Sequence, residues 1–254
     1  MPSGNRTIAS ETPTAVLLPG LLCDRAVWAG QLEALGPRAR CIVPDYGELD
    51  SLPAMAHAVL AQAPSRFVLV AHSMGGRVAL EIMRTGAARV SALALLDTGY
   101  QARAPGPDAA REARGRQALL ELASSDGLRA MGRVWVRDMV APARLADTAL
   151  IESILAMVER CTVRKFAAQL RALLGRPDAT DVLTAVRCPT LLLCGREDTW
   201  SPLARHEAMA RLIRHSQLAV VEECGHMSPM ERPAEVSARL SQWLAELPDR
   251  GGAE

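Results

Sequence analysis

Three polar residues, each set just after an apolar run, have types and order suited to nucleophilic catalysis. The first is Ser73, in Ala71-His72-Ser73-Met74-Gly75-Gly76. It follows Phe67-Val68-Leu69-Val70 and precedes the helical pattern Val78-Ala79-Leu80-Glu81-Ile82-Met83. Strand, sharp turn and helix with a serine at the apex is the layout of a nucleophile elbow. Such a turn strains the backbone, so the residues two positions away must be small, and here they are Ala71 and Gly75. The helix that begins after the serine aims its first backbone N–H groups at the place where negative charge would develop.

A serine hydroxyl needs a base to take its proton. Of the histidines at 57, 72, 206, 215 and 226, His226 stands apart. It follows Val220-Val221-Glu222-Glu223-Cys224-Gly225, in a loop beyond the last strand pattern. The base in turn needs a carboxylate to hold its tautomer and stabilise the imidazolium. Asp198, in Cys194-Gly195-Arg196-Glu197-Asp198-Thr199-Trp200, follows the preceding strand pattern. Glu197 beside it and Asp97, which ends an earlier strand, are the alternatives. An oxyanion needs two donors. The Met74 amide follows the nucleophile, and the Leu21 amide sits beside Gly20 in the loop Leu18-Pro19-Gly20-Leu21.

These groups must be carried to one edge by a sheet. Short apolar runs at 15–18, 41–43, 67–71, 92–96, 190–194 and 218–221 alternate with helical patterns near 26–35, 52–63 and 233–247. Runs of this length without polar alternation predict a mostly parallel sheet covered by helices on both faces. Ligands bind such sheets at the carboxyl ends of the strands, where Ser73, Asp198 and His226 all fall. The alternation breaks between 101 and 187, where the patterns at 118–122, 128–139, 150–158 and 163–174 are all helical. We therefore expect a core of 1–100 and 188–254 with a helical cap inserted at 101–187.

Composition narrows the function classes. The 254 residues carry a formal charge of +1, so no bulk attraction to nucleic acid or membrane is expected. Residues 99–187 hold 14 basic and 10 acidic side chains, which could favour an anionic substrate. No apolar run is long enough to span a bilayer. The N-terminal Met1-Pro2-Ser3-Gly4-Asn5-Arg6 has no apolar signal-peptide centre. The six cysteines show no C-x-x-C spacing and read as reduced thiols of a cytoplasmic protein, with no metal site. Aromatic residues are only 3% of the chain, so leucine, methionine, valine and alanine must supply most of any pocket wall.

From about 12 to 247 the chain resembles the α/β-hydrolase superfamily. The resemblance rests on Leu18-Pro19-Gly20, on Ala71 to Gly76, on Gly195-Arg196-Glu197-Asp198 and on Gly225-His226-Met227-Ser228-Pro229-Met230-Glu231-Arg232-Pro233. The last stretch is similar to a segment of small bacterial esterases, enol-lactonases and carbon–carbon bond hydrolases. It implies an α/β-hydrolase fold with a cap, and Ser73 as nucleophile, His226 as base and Asp198 as its orienter. Pro19 stands where a histidine is usual, Ala71 where the elbow usually has glycine, and the loop after Asp45 is short.

The expected activity is hydrolysis of small to medium, mainly aliphatic carboxylic esters, with no cofactor. Trp28, Trp135, Met139 and Met227 are the candidate substrate contacts, with Met131, Met157, Val158 and Cys161 as further possibilities. Arg133, Arg137 and Arg164 are candidate carboxylate binders. The alternatives are a carbon–carbon bond hydrolase or a non-hydrolytic lyase on the same three residues, or a ligand-binding protein with vestigial hydrolysis. Cap arginines converging on Ser73 would favour the first two, whose substrates carry carboxylates.

Overall fold

The computed structural model describes residues 13–247. The N-terminal stretch Met1 to Arg6, read above for a signal peptide, lies outside them. Six strands form one parallel sheet: β1 (Thr14–Leu18), β2 (Arg40–Ile42), β3 (Phe67–His72), β4 (Val90–Leu96), β5 (Thr190–Gly195) and β6 (Ser216–Val221). Their order is β2-β1-β3-β4-β5-β6. β3 and β5 are buried along their whole length, and β4 at all but one position. That is why they read as unbroken apolar runs. The edge strands β2 and β6 are more exposed, and their sequences are more polar.

Helices cover both faces. On one face α1 (Ala29–Leu35) packs against α11 (Pro233–Ala245). On the other lie α2 (Leu52–Gln62) and α3 (Met74–Gly86). α2 begins where Ser51 accepts a hydrogen bond from the Ala54 amide, with Pro53 in its first turn. Between β4 and β5 the described chain is helical: α4 (Pro107–Asp126), α5 (Leu128–Trp135), α6 (Thr148–Glu159), α7 (Val163–Leu174) and α8 (Thr180–Ala185). Asp147 caps α6 and Thr162 caps α7, each accepting from an amide three residues on. α4 packs on α5 and α7, and α5 on α6. α8 behaves differently. It packs on α3 and on α9 (Leu203–Leu212), so the last turn of the predicted cap range sits with the sheet's own helices. α10 (Ser228–Glu231) is a single short turn before α11.

The strand order reverses direction between β1 and β3, because β2 pairs with β1 on one side and β3 on the other. A crevice opens where adjacent connections diverge in this way. The loops after β1 and β3, carrying Leu21 and Ser73, both emerge there.

Candidate active site

Ser73 sits between β3 and α3 with φ 53° and ψ −117°. A non-glycine residue at positive φ is strained, and the neighbourhood holds it there. Its amide donates to Leu96 O (2.9 Å), and its carbonyl accepts from Thr98 Oγ1 (2.7 Å). Thr98 is itself anchored, its amide donating to His206 Nε2 at 3.2 Å. Burial lowers His206 to about 4, so its ring is neutral and can accept. The turn also demands Gly75. A Cβ at that position would lie 2.3 Å from Leu18 O, so β1 and α3 meet backbone to backbone.

A serine at the start of a helix ordinarily caps it. Ser73 makes no such cap bond, because its Oγ lies 2.7 Å from His226 Nε2. His226 Nδ1 in turn donates to Asp198 Oδ2 at 2.8 Å. The other Asp198 oxygen accepts from the Trp200 and Ser201 amides, both at 2.8 Å. Burial works against the Asp198 charge. The His226 charge and hydrogen bond, with the Ser201 amide, outweigh it and hold the carboxyl below its usual range. For His226, burial alone would lower the pKa, but the charge and hydrogen bond of Asp198 raise it above 6.5.

Of the three carboxylates weighed for this position, Asp198 is the one that meets the imidazole. Glu197 is exposed. Asp97, fully buried at φ 48°, accepts from the Gly195 amide (3.0 Å) and contacts Ser228 Oγ. Burial and the nearby Asp198 charge push Asp97 well above the carboxylate range, toward its neutral form. His72, buried and lowered to about 3 by desolvation and by His226, is also neutral. Its Nε2 donates to the His226 carbonyl at 2.8 Å, so it props up the residue above it.

The loop carrying His226 is fastened by Glu231, which the sequence reading quoted only as part of a motif. Its carboxylate accepts from the amides of Gly225 (3.0 Å), Met227 (3.1 Å) and Ala141 (2.8 Å). The His226 and Met227 amides both donate to Met139 O, at 2.9 and 3.0 Å. A motif of one acid five residues after the histidine signals this belt, although its reach to Ala141 is visible only in three dimensions.

A cavity of about 650 Å³ opens above Ser73 and His226. Leu21 and Met74 line it, and among the described residues neither of their amides donates to a protein acceptor. Leu22 takes φ 63° and gives its own amide to Gln169 Oε1 at 2.9 Å, which leaves the neighbouring Leu21 amide at the bend. Trp135 and Met139 also line the cavity. Trp28 and Met227 do not, which corrects their assignment as substrate contacts. Trp28 is fully buried in the 3-10 turn before α1, edge-on to His72 with ring centroids 6.2 Å apart. Met227 precedes α10 and turns its side chain into the core.

The expected arginines are also replaced by others. Arg133 and Arg137 are exposed and outside the cavity, and Arg164 pairs with Glu48 on the surface. The cavity instead receives Arg116 and Arg176 from the inserted segment and Arg77 and Arg205 from α3 and α9. Among the described residues no cluster of side chains suits a metal ion, and no helix is long and apolar enough to cross a membrane.

Comparison with known proteins places the chain among relatives. A model of the alpha/beta hydrolase family matches residues 15–239. A pimeloyl-[acyl-carrier protein] methyl ester esterase of Aromatoleum aromaticum is 28% identical over 245 residues, covering 90% of this chain and 96% of that one. The structure of a thermophilic esterase from Thermogutta terrifontis, described as malate bound, matches with a TM-score of 0.82 at 30% identity, covering 93% of this chain and 92% of that one. An enol-lactonase from Burkholderia xenovorans LB400 shares the fold, with a TM-score of 0.80 at 19% identity, covering 96% and 94% of the two chains.

Proposed function

The chain belongs to the alpha/beta hydrolase family and is an ester hydrolase, and from this premise we propose that Ser73, His226 and Asp198 cleave small to medium carboxylic esters through an acyl-enzyme. The observation that carries the reading is the continuous chain of hydrogen bonds from Ser73 Oγ through His226 to Asp198 at the floor of the cavity. His226 Nε2 takes the Ser73 proton as Oγ attacks the carbonyl carbon. Asp198 stabilises the imidazolium that forms, and the Leu21 and Met74 amides receive the oxyanion. The imidazolium then protonates the departing alcohol. Water, deprotonated by His226, attacks the acyl-enzyme, and collapse of the second tetrahedral intermediate releases the acid and Ser73.

The helical segment over the sheet serves as the cap that bounds the substrate, through Trp135 and Met139 in particular. Mainly aliphatic esters suit these walls, and the volume lies within the range of about 300–1,000 Å³ usual for small-molecule sites. No cofactor enters this scheme.

The test is to replace Ser73 with alanine and follow a short p-nitrophenyl ester. A fall of at least about 10³-fold is expected. Activity within about tenfold of the unmodified enzyme would sink the assignment. A fluorophosphonate should label the native protein at Ser73 and leave Ser73→Ala unlabelled.

A second reading, a carbon–carbon bond hydrolase or a lyase on the same residues, is favoured by the arginines that reach the cavity. Release of a carboxylic acid from a vinylogous diketone, with no turnover of simple esters, would select it.

A further inference from the structure

Six arginines line the cavity against three carboxylates, Asp108, Glu112 and Asp138. Three of the six are at least partly accounted for, and Arg103, in the loop before α4, forms no ion pair among the described residues. Arg111 pairs with Asp108. Arg116 and Arg176 share Glu112, at 2.9 and 2.7 Å, and Arg116 stacks over the Trp200 ring at 5.7 Å. Arg77 and Arg205 differ. Among the described residues neither side chain forms an ion pair, and each guanidinium makes a single hydrogen bond to the protein. Arg77 Nη1 donates to Gln101 O at 2.9 Å, and Arg205 Nη1 to Trp200 O at 2.7 Å.

A guanidinium carries five N–H donors. A structural arginine of this protein spends them, as Arg89 does on the carbonyls of Leu60, Ala63 and Pro64. Arg77 and Arg205 leave most of theirs without a protein acceptor, and both residues line the cavity. Both also converge on one point. Arg77 Nη2 lies 3.0 Å, and Arg205 Nη1 3.3 Å, from where a Cβ on Gly99 would stand. The same Cβ would meet Arg205 Cδ at 2.7 Å, so glycine at 99 is what lets the two side chains close in.

Two guanidiniums held this near each other, half-buried, repel unless an anion joins them. Burial, Arg176 and Arg205 together press the Arg77 guanidinium down to about 9, against the pull of Glu112, and it remains charged at neutral pH. Arg77 lies four residues beyond Ser73, at the start of α3. That separation is about one helical turn, or ~6 Å along the axis.

We propose that Arg77 and Arg205 form a carboxylate-binding subsite beside Ser73, and that the preferred substrates are esters bearing a second carboxylate a few atoms from the scissile carbonyl. This rests on Ser73 being the nucleophile. Planar forks matched to a carboxylate give directional, charge-assisted bonds. They would orient the ester across the Leu21 and Met74 amides as well as bind it.

The experiment has two independent readouts. Hydrolysis followed by pH-stat compares monoethyl glutarate with ethyl pentanoate, which places the carboxylate on the acyl side. It also compares acetoxyacetic acid with propyl acetate, which places it on the alcohol side. Calorimetry measures glutarate binding to Ser73→Ala, which needs no turnover. We expect kcat/KM to favour the charged ester of at least one pair by about tenfold or more. Arg205→Gln should collapse that ratio toward one and weaken glutarate binding by a similar factor, whereas Arg205→Lys should restore part of both. A circular-dichroism melt identifies variants that fail to fold; Arg77→Gln then provides the same two readouts.

No charge preference in either pair, or a ratio untouched in folded Arg205→Gln, would overturn the subsite while leaving the esterase reading intact. Glutarate binding that depends on Arg205 in a protein that hydrolyses no ester would do the reverse.

Discussion

Glu231 accepts a hydrogen bond from the Ala141 amide at 2.8 Å, across 90 residues of sequence. The same carboxylate holds the amides on either side of His226. It therefore joins the loop carrying the proposed base to the segment between β4 and β5. Burial pushes its pKa up, and the three amide donors resist that push. Glu231→Gln puts an N–H₂ group among N–H donors. We expect a loss of about 2 kcal/mol, or roughly 4–8 °C in Tm, by thermal denaturation. In the folded fraction kcat should fall more than KM rises, because the variant loosens the base and leaves the cavity walls in place. Unchanged Tm and kcat would mean that the belt holds nothing.

Asp198 and Asp97 should respond oppositely to the same substitution. Asp198→Asn removes the charge that stabilises the His226 imidazolium. A fall in kcat of about 10⁴-fold is expected, as in triads that lose their acid. Asp97 is already driven toward its neutral form, and asparagine can accept from the Gly195 amide, face Ser228 Oγ and tolerate φ 48°. Asp97→Asn should stay within about tenfold of the unmodified enzyme. Steady-state kinetics on both variants decides the matter. A larger loss at Asp97 would move the acid there.

The pH profile carries a sign. As the proposed base, His226 must be neutral to take the Ser73 proton, so kcat/KM should fall as pH drops through its pKa. Asp198 raises that pKa, which sets the midpoint of the acid limb above 6.5. In Asp198→Asn the residual activity should show a lower midpoint. A midpoint below 6.5 in the unmodified enzyme would contradict the His226–Asp198 pairing.

Glu112 offers a test of how the helical segment is held. Its contacts with Arg176 and Arg116 outweigh burial and lower its carboxyl from 4.5 to about 2. The depressed pKa means stability that is fully present above 4.5 and lost as pH falls toward about 2. Urea titrations of the native protein and Glu112→Gln should differ by about 1 kcal/mol at pH 7, after discounting for solvent that reaches the pair. The difference should shrink steadily in acid. A constant difference would assign the effect to packing.

The strands and the order of Ser73, Asp198 and His226 were legible because parallel strands buried on both faces spell apolar runs, and the polar residues just after them must lie at one sheet edge. α4 was legible only in part. Its first half, Pro107 to Arg116, is rich in alanine and charge and shows no apolar stripe, since that face borders the cavity. Arg77 and Arg205 were not legible at all. They lie on helices 128 residues apart in sequence, and nothing local tells a guanidinium aimed inward from one in solvent. Trp28 misled for the opposite reason. A large aromatic near a catalytic loop looks like a pocket wall, but the 3-10 turn after Asp24 rotates it under His72.

The contact between Gly75 and Leu18 O bears on how this enzyme tolerates change. Where main chain touches main chain, no side chain serves as a spacer between the turn that carries Ser73 and the strand that leads to the Leu21 amide. Repacking the aliphatic core should therefore lower the fraction of folded molecules long before it alters turnover in those that remain. The protein can drift widely in its interior while its reaction geometry stays still. Innovation is left to the walls of the cavity.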